Sequence, residues 1–336
     1  MATGKPRKPI YPIRLLLSDI EVTCPLRQPT PLEKDAISRR RLIIVGDVHG
    51  MKKSLQKLLE KVEFDRSQGD HLIFVGDITN KGPDSSGVVD LAMKLEASAV
   101  RGNHDNAVLD AAAELAAAAT AGHGPTSTSS NPPVMIDAPS EHHEKAETTA
   151  EENPMRHGET TYHTVSQLST PQLEWLATLP LMLRLHLPQD RPSSLNHNVV
   201  VVHAGLVPGV ALEDQDPYAI LHMRSLRRNE EAGEGFVPDE EFGESGWVDE
   251  WDRWQESHPP QTTVVFGHDA KRRLQLGKYA IGLDSACLYG HQLSALIITI
   301  SEGRIEHEII QVDCADTPVA PKATTEGNGQ AIVDHQ

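Results

Sequence analysis

The stretch Arg41-Leu42-Ile43-Ile44-Val45-Gly46-Asp47-Val48-His49-Gly50 decides the fold of this chain. Residues 42–45 are apolar at every position and mostly β-branched, which suits a strand buried on both faces, and Gly46 ends it. A tight polar turn follows, with an aspartate and a histidine two positions apart. Leu55, Leu58, Leu59 and Val62 then recur at helical spacing. A second apolar run, 72–75, closes on Gly76. The spacing next predicts a helix over 86–95 and a short strand at 99–100. Strand, helix, strand, helix, strand implies a parallel sheet with crossover helices.

Outward from this unit the composition changes. Residues 111–121 are almost all alanine, and 122–152 are rich in Ser, Thr, Pro and Glu. Such a segment has too little apolar surface to order itself, so 111–160 reads as a flexible insertion with a helix at its alanine-rich start. Ser169-Thr170-Pro171 reads as a capped helix start, with the helix over 172–179. Residues 180–187 and 199–202 read as strands able to form a hairpin. A second polar loop covers 229–246, and 263–266, 280–282 and 295–300 are strands again. Residues 1–40 read as an extended arm with a short strand at 14–17, and ordered sequence is expected from Arg41. The expected layout is an arm (1–40), one domain (41–312) and a disordered tail (313–336).

Charge narrows the function. The 336 residues carry 48 acidic and 31 basic side chains, a formal −17. That balance argues against broad nucleic-acid or anionic-membrane binding. It leaves a small anionic substrate open, because a bound metal inverts the local sign. Cys24, Cys287 and Cys314 are too far apart and too few for a disulfide framework or a thiolate zinc site. No apolar run reaches the ~18 residues of a membrane span, and 15–17 is too short for a signal sequence. A cytoplasmic location is the expectation.

The chemistry lies at the strand ends, where loops of an α/β sheet converge on one crevice. In order these loops read Gly46-Asp47-Val48-His49-Gly50, Gly76-Asp77-Ile78-Thr79-Asn80-Lys81-Gly82, Gly102-Asn103-His104-Asp105, His203-Ala204-Gly205-Leu206 and Gly267-His268. Each sets Asp, His or Asn beside a glycine. Carboxylate, imidazole and amide oxygen together suit borderline divalent ions: zinc, manganese, iron or cobalt. Asp47 and His49 can face one ion, and Asp77 can bridge two ions about 4 Å apart. A lone Asp-x-His is usually a surface turn; five such pieces, each at a strand end, are not.

These motifs resemble those of calcineurin-like metallophosphoesterases, on the phosphoprotein-phosphatase side of that superfamily. Asn80-Lys81-Gly82-Pro83-Asp84-Ser85, His203-Ala204-Gly205-Leu206-Val207-Pro208 and Gly282-Leu283-Asp284-Ser285-Ala286-Cys287 are similar to the branch related to symmetrical diadenosine tetraphosphatases, with zinc-dependent endopolyphosphatases as nearest match. The resemblance implies two stacked mixed β-sheets flanked by helices. It implies two divalent metal ions, one on Asp47, His49 and Asp77, the other on Asp77, Asn103, His203 and His268. It further implies a metal-bridging hydroxide as nucleophile, His104 as general acid and Asp105 orienting its ring. It also raises a vacuolar alternative for location.

One departure bears on substrate. Serine/threonine phosphatases carry arginine where this chain has Lys81. Arginine grips a phosphate with two parallel hydrogen bonds, whereas lysine is a point charge. This favours phosphoanhydrides, either inorganic polyphosphate or dinucleoside polyphosphates, over phosphoprotein. Arg101 and Arg224 are further candidates for phosphate contacts; for Arg224 a plain helix-surface position is the competing reading. A serine/threonine phosphatase is the alternative function, and an inactive scaffold a third. His142 and His143 read as a solvated pair. Trp247, Trp251 and Trp254 share one helix face and read as core, as does Cys287.

Overall fold

The computed structural model describes residues 8–22, 39–121, 157–229, 235–243 and 246–320. His142, His143 and Cys24 lie outside them. The chain enters its fold earlier than the expected Arg41. Strand β1 (Leu17–Glu21) runs parallel to residues 182–186, three residues beyond the expected 14–17. Its partner strand offered an open edge, and backbone pairing there outweighs the lack of sequence periodicity.

In β2 (Arg40–Val45), Ile43 and Val45 enter one core cluster while Leu42 and Ile44 enter another. Both faces are buried, which is why the sequence shows no polar alternation. Helices α1 (Lys52–Lys61) and α2 (Ser85–Lys94) carry the chain over to β3 (Asp70–Phe74) and β4 (Ser98–Ala99), both parallel as expected. The alanine-rich run continues α3 (Asn103–Ala121), whose first residues are those of the Asn103-His104-Asp105 loop. Helix α4 (Glu159–Gln167) was not expected. It precedes α5 (Thr170–Thr178), where the Ser169 backbone N–H donates to Gln172 Oε1 at 2.8 Å, half of a capping box.

Strands β5 (Met182–His186) and β6 (Asn198–Val202) form the expected antiparallel pair. Helix α6 (Pro217–His222) follows. The polar loop at 229–246 is not wholly irregular, because β8 (Phe236–Asp239) lies within it and pairs with β7 (Ser225–Arg228) just before it. Helix α7 (Val248–Ser257) buries Trp251, with Trp247 buried at its start and Trp254 half-buried. Then come β9 (Thr262–Phe266), the short β10 (Gln275–Leu276), β11 (Ala280–Gly282), β12 (Gln292–Ile300) and β13 (Ile305–Asp313).

The result is two mixed sheets, ordered β13-β12-β2-β3-β4 and β1-β5-β6-β9-β11-β10. One apolar cluster lies between them, drawing Leu42, Ile44, Val199, Val201, Leu296 and Ile298. The outer faces are covered by α1, α2, α3 and α5 on one side and by α6 and α7 on the other. No helix among the described residues is long and apolar enough to cross a membrane.

The tail expected beyond 313 is also held, at least to residue 320. Asp316 accepts from the backbone N–H groups of Lys53 (3.3 Å) and Ser54 (2.8 Å) and from Ser54 Oγ (2.7 Å). It caps the start of α1 from more than 260 residues away, and Val319 N–H donates to Leu288 O at 2.9 Å. Asp316→Ala removes a buried cap and should cost about 1–3 kcal/mol. Urea unfolding checks this; a midpoint equal to the parent's would leave the tail without structural weight.

Candidate metal centre

All five strand-end loops open at one end of the stacked sheets. The backbone there is bent beyond what side chains ordinarily accept. His49 (φ 48°), Asp77 (φ 48°), Lys81 (φ 70°) and His268 (φ 69°) all occupy the left-handed region. Each such residue costs about 1 kcal/mol or more, so the packing around them must hold them there. Close approach does the rest. A Cβ on Gly102 would run into Asp77, and one on Gly267 into the Asp47 carboxylate and Val75. Only glycine lets these loops close on the acids.

Three histidines are held from behind by backbone carbonyls. His49 Nδ1 lies 3.2 Å from Thr79 O, His203 Nδ1 3.0 Å from Val75 O, and His268 Nε2 3.2 Å from His222 O. A ring nitrogen facing a carbonyl must donate, so the other nitrogen keeps its lone pair and faces inward. His49 Nε2 is 3.4 Å from Asp77 Oδ2 and 4.0 Å from Asp47 Oδ2. His203 Nε2 is 2.9 Å from Asn103 Oδ1 and 3.5 Å from Asp77 Oδ1. His268 Nδ1 is 3.1 Å from Asn103 Oδ1 and 3.2 Å from His203 Nε2. Two imidazole lone pairs and an amide oxygen thus face one another with no proton to share. Such a set is repulsive until a cation lies among them. Ligand atoms of Asp47, Asp77 and His203 all fall within 4.8 Å of one another. Carboxylate, imidazole and amide oxygen in this arrangement fit borderline divalent ions.

Burial shapes the charges. It raises Asp47 well above the ordinary carboxylate range, with Asp284 and Asp77 adding repulsion. It pushes Asp77 up to about 7, opposed by Lys81. Asp284 rises to about 6, also chiefly through burial. The same burial lowers His49, His104 and His268 well below the usual imidazole value, and His203 to about 4. The rings are therefore neutral near pH 7, the state that ligates.

The other expected residues divide. Lys81 stands among Asp77, Asp284 and Asp47, which oppose the downward pull of burial on its ammonium. Arg224 is near enough to act on Asp77, His203 and His268. One terminal nitrogen donates to Glu240 O at 3.2 Å, the guanidinium lies 5.3 Å from the Phe242 ring centre, and its buried Nε has no partner among the described residues. It lies between α6 and β7, not on a helix surface.

Arg101 is a correction. It is fully buried, and its terminal nitrogens donate to the carbonyls of Tyr11 (3.1 Å), Pro12 (3.4 Å) and Ala177 (3.1 Å). Its Nε has no partner among the described residues but is buried with the rest of the side chain, out of reach of a substrate. Asp105 is another. It makes no hydrogen bond to the His104 ring; its carboxylate accepts from the N–H groups of Gly102 (3.0 Å), Ile78 (3.3 Å) and Thr79 (3.0 Å) and from Thr79 Oγ1 (2.7 Å). It ties two site loops together.

The residue beside the His104 ring is Asn80, its Nδ2 3.3 Å from His104 Nδ1. The Asn80 amide is oriented by Lys81 N–H (2.9 Å) and Thr164 Oγ1 (3.3 Å), both donating to its Oδ1. Asn80 and Asp284 carried no role in the sequence reading. Both sit in glycine-rich strand-end loops, the same signal that marked the rest.

The comparisons with known proteins agree with this geometry. A sequence profile of the calcineurin-like phosphoesterases (Metallophos) matches residues 40–295. A zinc-dependent endopolyphosphatase of Saccharomyces cerevisiae is 24% identical over 314 residues, 89% of this chain and 87% of its own. A symmetrical bis(5'-nucleosyl)-tetraphosphatase of Coxiella burnetii is 25% identical over 309 residues, 78% of this chain and 90% of its own. The crystal structure of a candidate diadenosine tetraphosphatase superposes with a TM-score of 0.57 at 30% identity, covering 89% of this chain and 98% of that one.

A pH dependence follows. Unfolded aspartate is ionised above 3.8, whereas folded Asp77 keeps its proton up to about 7. The metal-free fold therefore loses stability as pH rises through about 7. The histidines oppose this only below 6.5, where the unfolded chain takes up protons that the folded rings refuse. A divalent ion replaces the Asp77 proton, so its stabilisation should grow with pH. Thermal melts with and without manganese should show a larger gain at about pH 8 than at about pH 5.5. Equal gains would contradict the buried-acid geometry.

Proposed function

This chain belongs to the calcineurin-like phosphoesterase family, and we propose that it is a dinuclear hydrolase of phosphoanhydrides, acting on inorganic polyphosphate or dinucleoside polyphosphates. That it is a metal-dependent phosphoesterase rests on the family and on hydrolase relatives along most of its length. The observation that carries the proposal is the facing set of acceptors, His203 Nε2, His268 Nδ1 and Asn103 Oδ1, sharing Asp77 with His49 and Asp47. Asp47, His49 and Asp77 would hold one ion, and Asp77, Asn103, His203 and His268 the other. Bound there, two divalent ions supply positive charge for attack on phosphorus and for activating water.

The chain's own residues do the remaining work. Lys81 and Arg224, the cations that act on Asp77, hold substrate phosphates beside the ions. His104 serves the leaving oxygen. Because the Asn80 amide is oriented with its nitrogen toward His104 Nδ1, that nitrogen accepts and the ring proton stays on Nε2. A neutral Nε2–H is a hydrogen-bond donor of modest acidity. It is adequate for a phosphate leaving group, whose second pKa is about 6, and weak for a serine alkoxide. This supports a phosphoanhydride over a phosphoprotein, in line with the relatives named as endopolyphosphatase and dinucleoside tetraphosphatase. An inactive scaffold would require a broken donor set, and the facing acceptors of His203, His268 and Asn103 speak against one. The domain we propose runs from residue 8 to residue 320, with the segment 8–22 as part of it.

Purified protein given zinc, manganese or cobalt should release phosphate from polyphosphate or diadenosine tetraphosphate faster than from a phosphoserine peptide. The reverse order would move the function to protein dephosphorylation. Asp77→Asn should abolish turnover while leaving the circular dichroism spectrum unchanged; a near-normal rate would remove the shared ligand. Asn80→Asp, which turns a donor toward His104 into an acceptor, should raise the rate on a phosphomonoester relative to polyphosphate.

A further inference from the structure

Arg101 and Asn106 leave a question: what does a buried guanidinium bound to three carbonyls accomplish? Two of those carbonyls, of Tyr11 and Pro12, belong to the N-terminal segment. Asn106 grips the same segment from both sides, with Nδ2 donating to Pro9 O at 3.1 Å and Tyr11 N–H donating to Oδ1 at 3.0 Å. The Arg101 guanidinium also lies 5.7 Å from the Tyr11 ring centre. Residues 9–12 are therefore strapped to the first turn of α3, the turn that presents Asn103 and His104. Ile10 and Ile13 then pack on the opposite half of the molecule, against the cluster that includes α6.

At Lys8, the first described residue, the backbone N–H lies 3.5 Å from Tyr218 Oη. Tyr218 lies on α6 with its ring 4.5 Å from that of His222, and the His222 carbonyl holds His268. Lys8 is thus carried across from the His104 side of the site to the His268 side. Its side chain is exposed, and no described carboxylate pairs with its ammonium. The ammonium is nonetheless close enough to both rings to add to the effect of burial in lowering His222 to about 4, and to assist burial and Lys81 in lowering His104. The strap thus carries an exposed cation, unpaired among the described residues, between α3 on the His104 side of the site and α6 on its other side.

We propose that Lys8 is a specificity-determining residue that binds a distal phosphate of the substrate chain, positioned by the strap on Arg101 and Asn106. The role rests on the phosphoanhydride reading, since a single phosphate held by Lys81 and Arg224 has no second phosphate to offer. Lysine suits it, because a point charge on a flexible stem tolerates phosphate chains of differing length and register. The contact is solvent-exposed and therefore screened by salt.

Calorimetric titration of the manganese-loaded full chain with tripolyphosphate and, separately, orthophosphate tests this. Lys8→Ala should weaken tripolyphosphate binding about fivefold or more at low salt and leave orthophosphate unchanged, while Lys8→Arg stays close to the parent. Equal weakening of both anions would mean a structural role and overturn the proposal, as would no weakening of tripolyphosphate. The two readings separate. If the parent cleaves polyphosphate but Lys8→Ala binds tripolyphosphate normally, only the role of Lys8 falls. If the parent cleaves no phosphoanhydride yet shows the expected loss, the substrate reading falls and the Lys8 contact stands. A parent that binds no tripolyphosphate removes both.

Discussion

Three carboxylates buried in one place are the constraint on which the rest of this structure depends. Asp47, Asp77 and Asp284 are each almost inaccessible to solvent and made harder to ionise by burial, and the charge of Asp77 raises the other two further. At an effective dielectric of about 20, two carboxylate charges 4–5 Å apart repel by about 3–4 kcal/mol. Lys81 and Arg224 are the cations that reach the cluster from within the site, and Lys81 is itself weakened by burial. The arrangement is tolerable with protons at low pH or with divalent ions at neutral pH. A proton on His203 Nε2 would relieve the facing lone pairs only by leaving a buried imidazolium, and burial resists that by lowering His203 to about 4. That half of the site specifically calls for a metal.

Local backbone cost serves this convergence. Left-handed His49, Asp77, Lys81 and His268, together with close glycines, bring side chains from both sheets to one point. Strain of this kind persists only where surroundings over-determine it, and here they do. Asp105 accepts from both the Gly76 loop and the Gly102 loop, while the His268 N–H donates to the Asp47 carboxylate at 3.1 Å. The loops are bonded to one another as much as to their own strands.

This explains what the sequence disclosed. β2, β3 and the site loops were legible because a fully apolar strand ending in Gly-Asp or Gly-His is a local pattern, set by burial of both strand faces and by a tight turn. Arg101 and Asp105 were misjudged because their neighbours are remote: Tyr11 and Pro12 for one, Thr79 for the other. A charged residue beside a catalytic motif looks the same in sequence whether it faces substrate or pins a loop. β1 was placed three residues early, and β13 and the Asp316 cap were missed, for a related reason. Their stability comes from an open sheet edge or a distant helix terminus, and neither leaves a periodic trace in its own segment.

The strap answers the same electrostatic constraint. A site that must overcome acid repulsion to hold its ions is a poor place to keep additional buried cations, since each raises the desolvation cost. Placing a cation on an exposed segment outside the crevice avoids that cost, and the positive charge contributes only when an anion arrives. The expense is transferred to the anchor, Arg101, whose buried charge is offset by three carbonyls, the Tyr11 ring and the nearby Asp105. A chain with a formal −17 can in this way present a locally cationic rim to a polyanion without burying further charge at its metal centre.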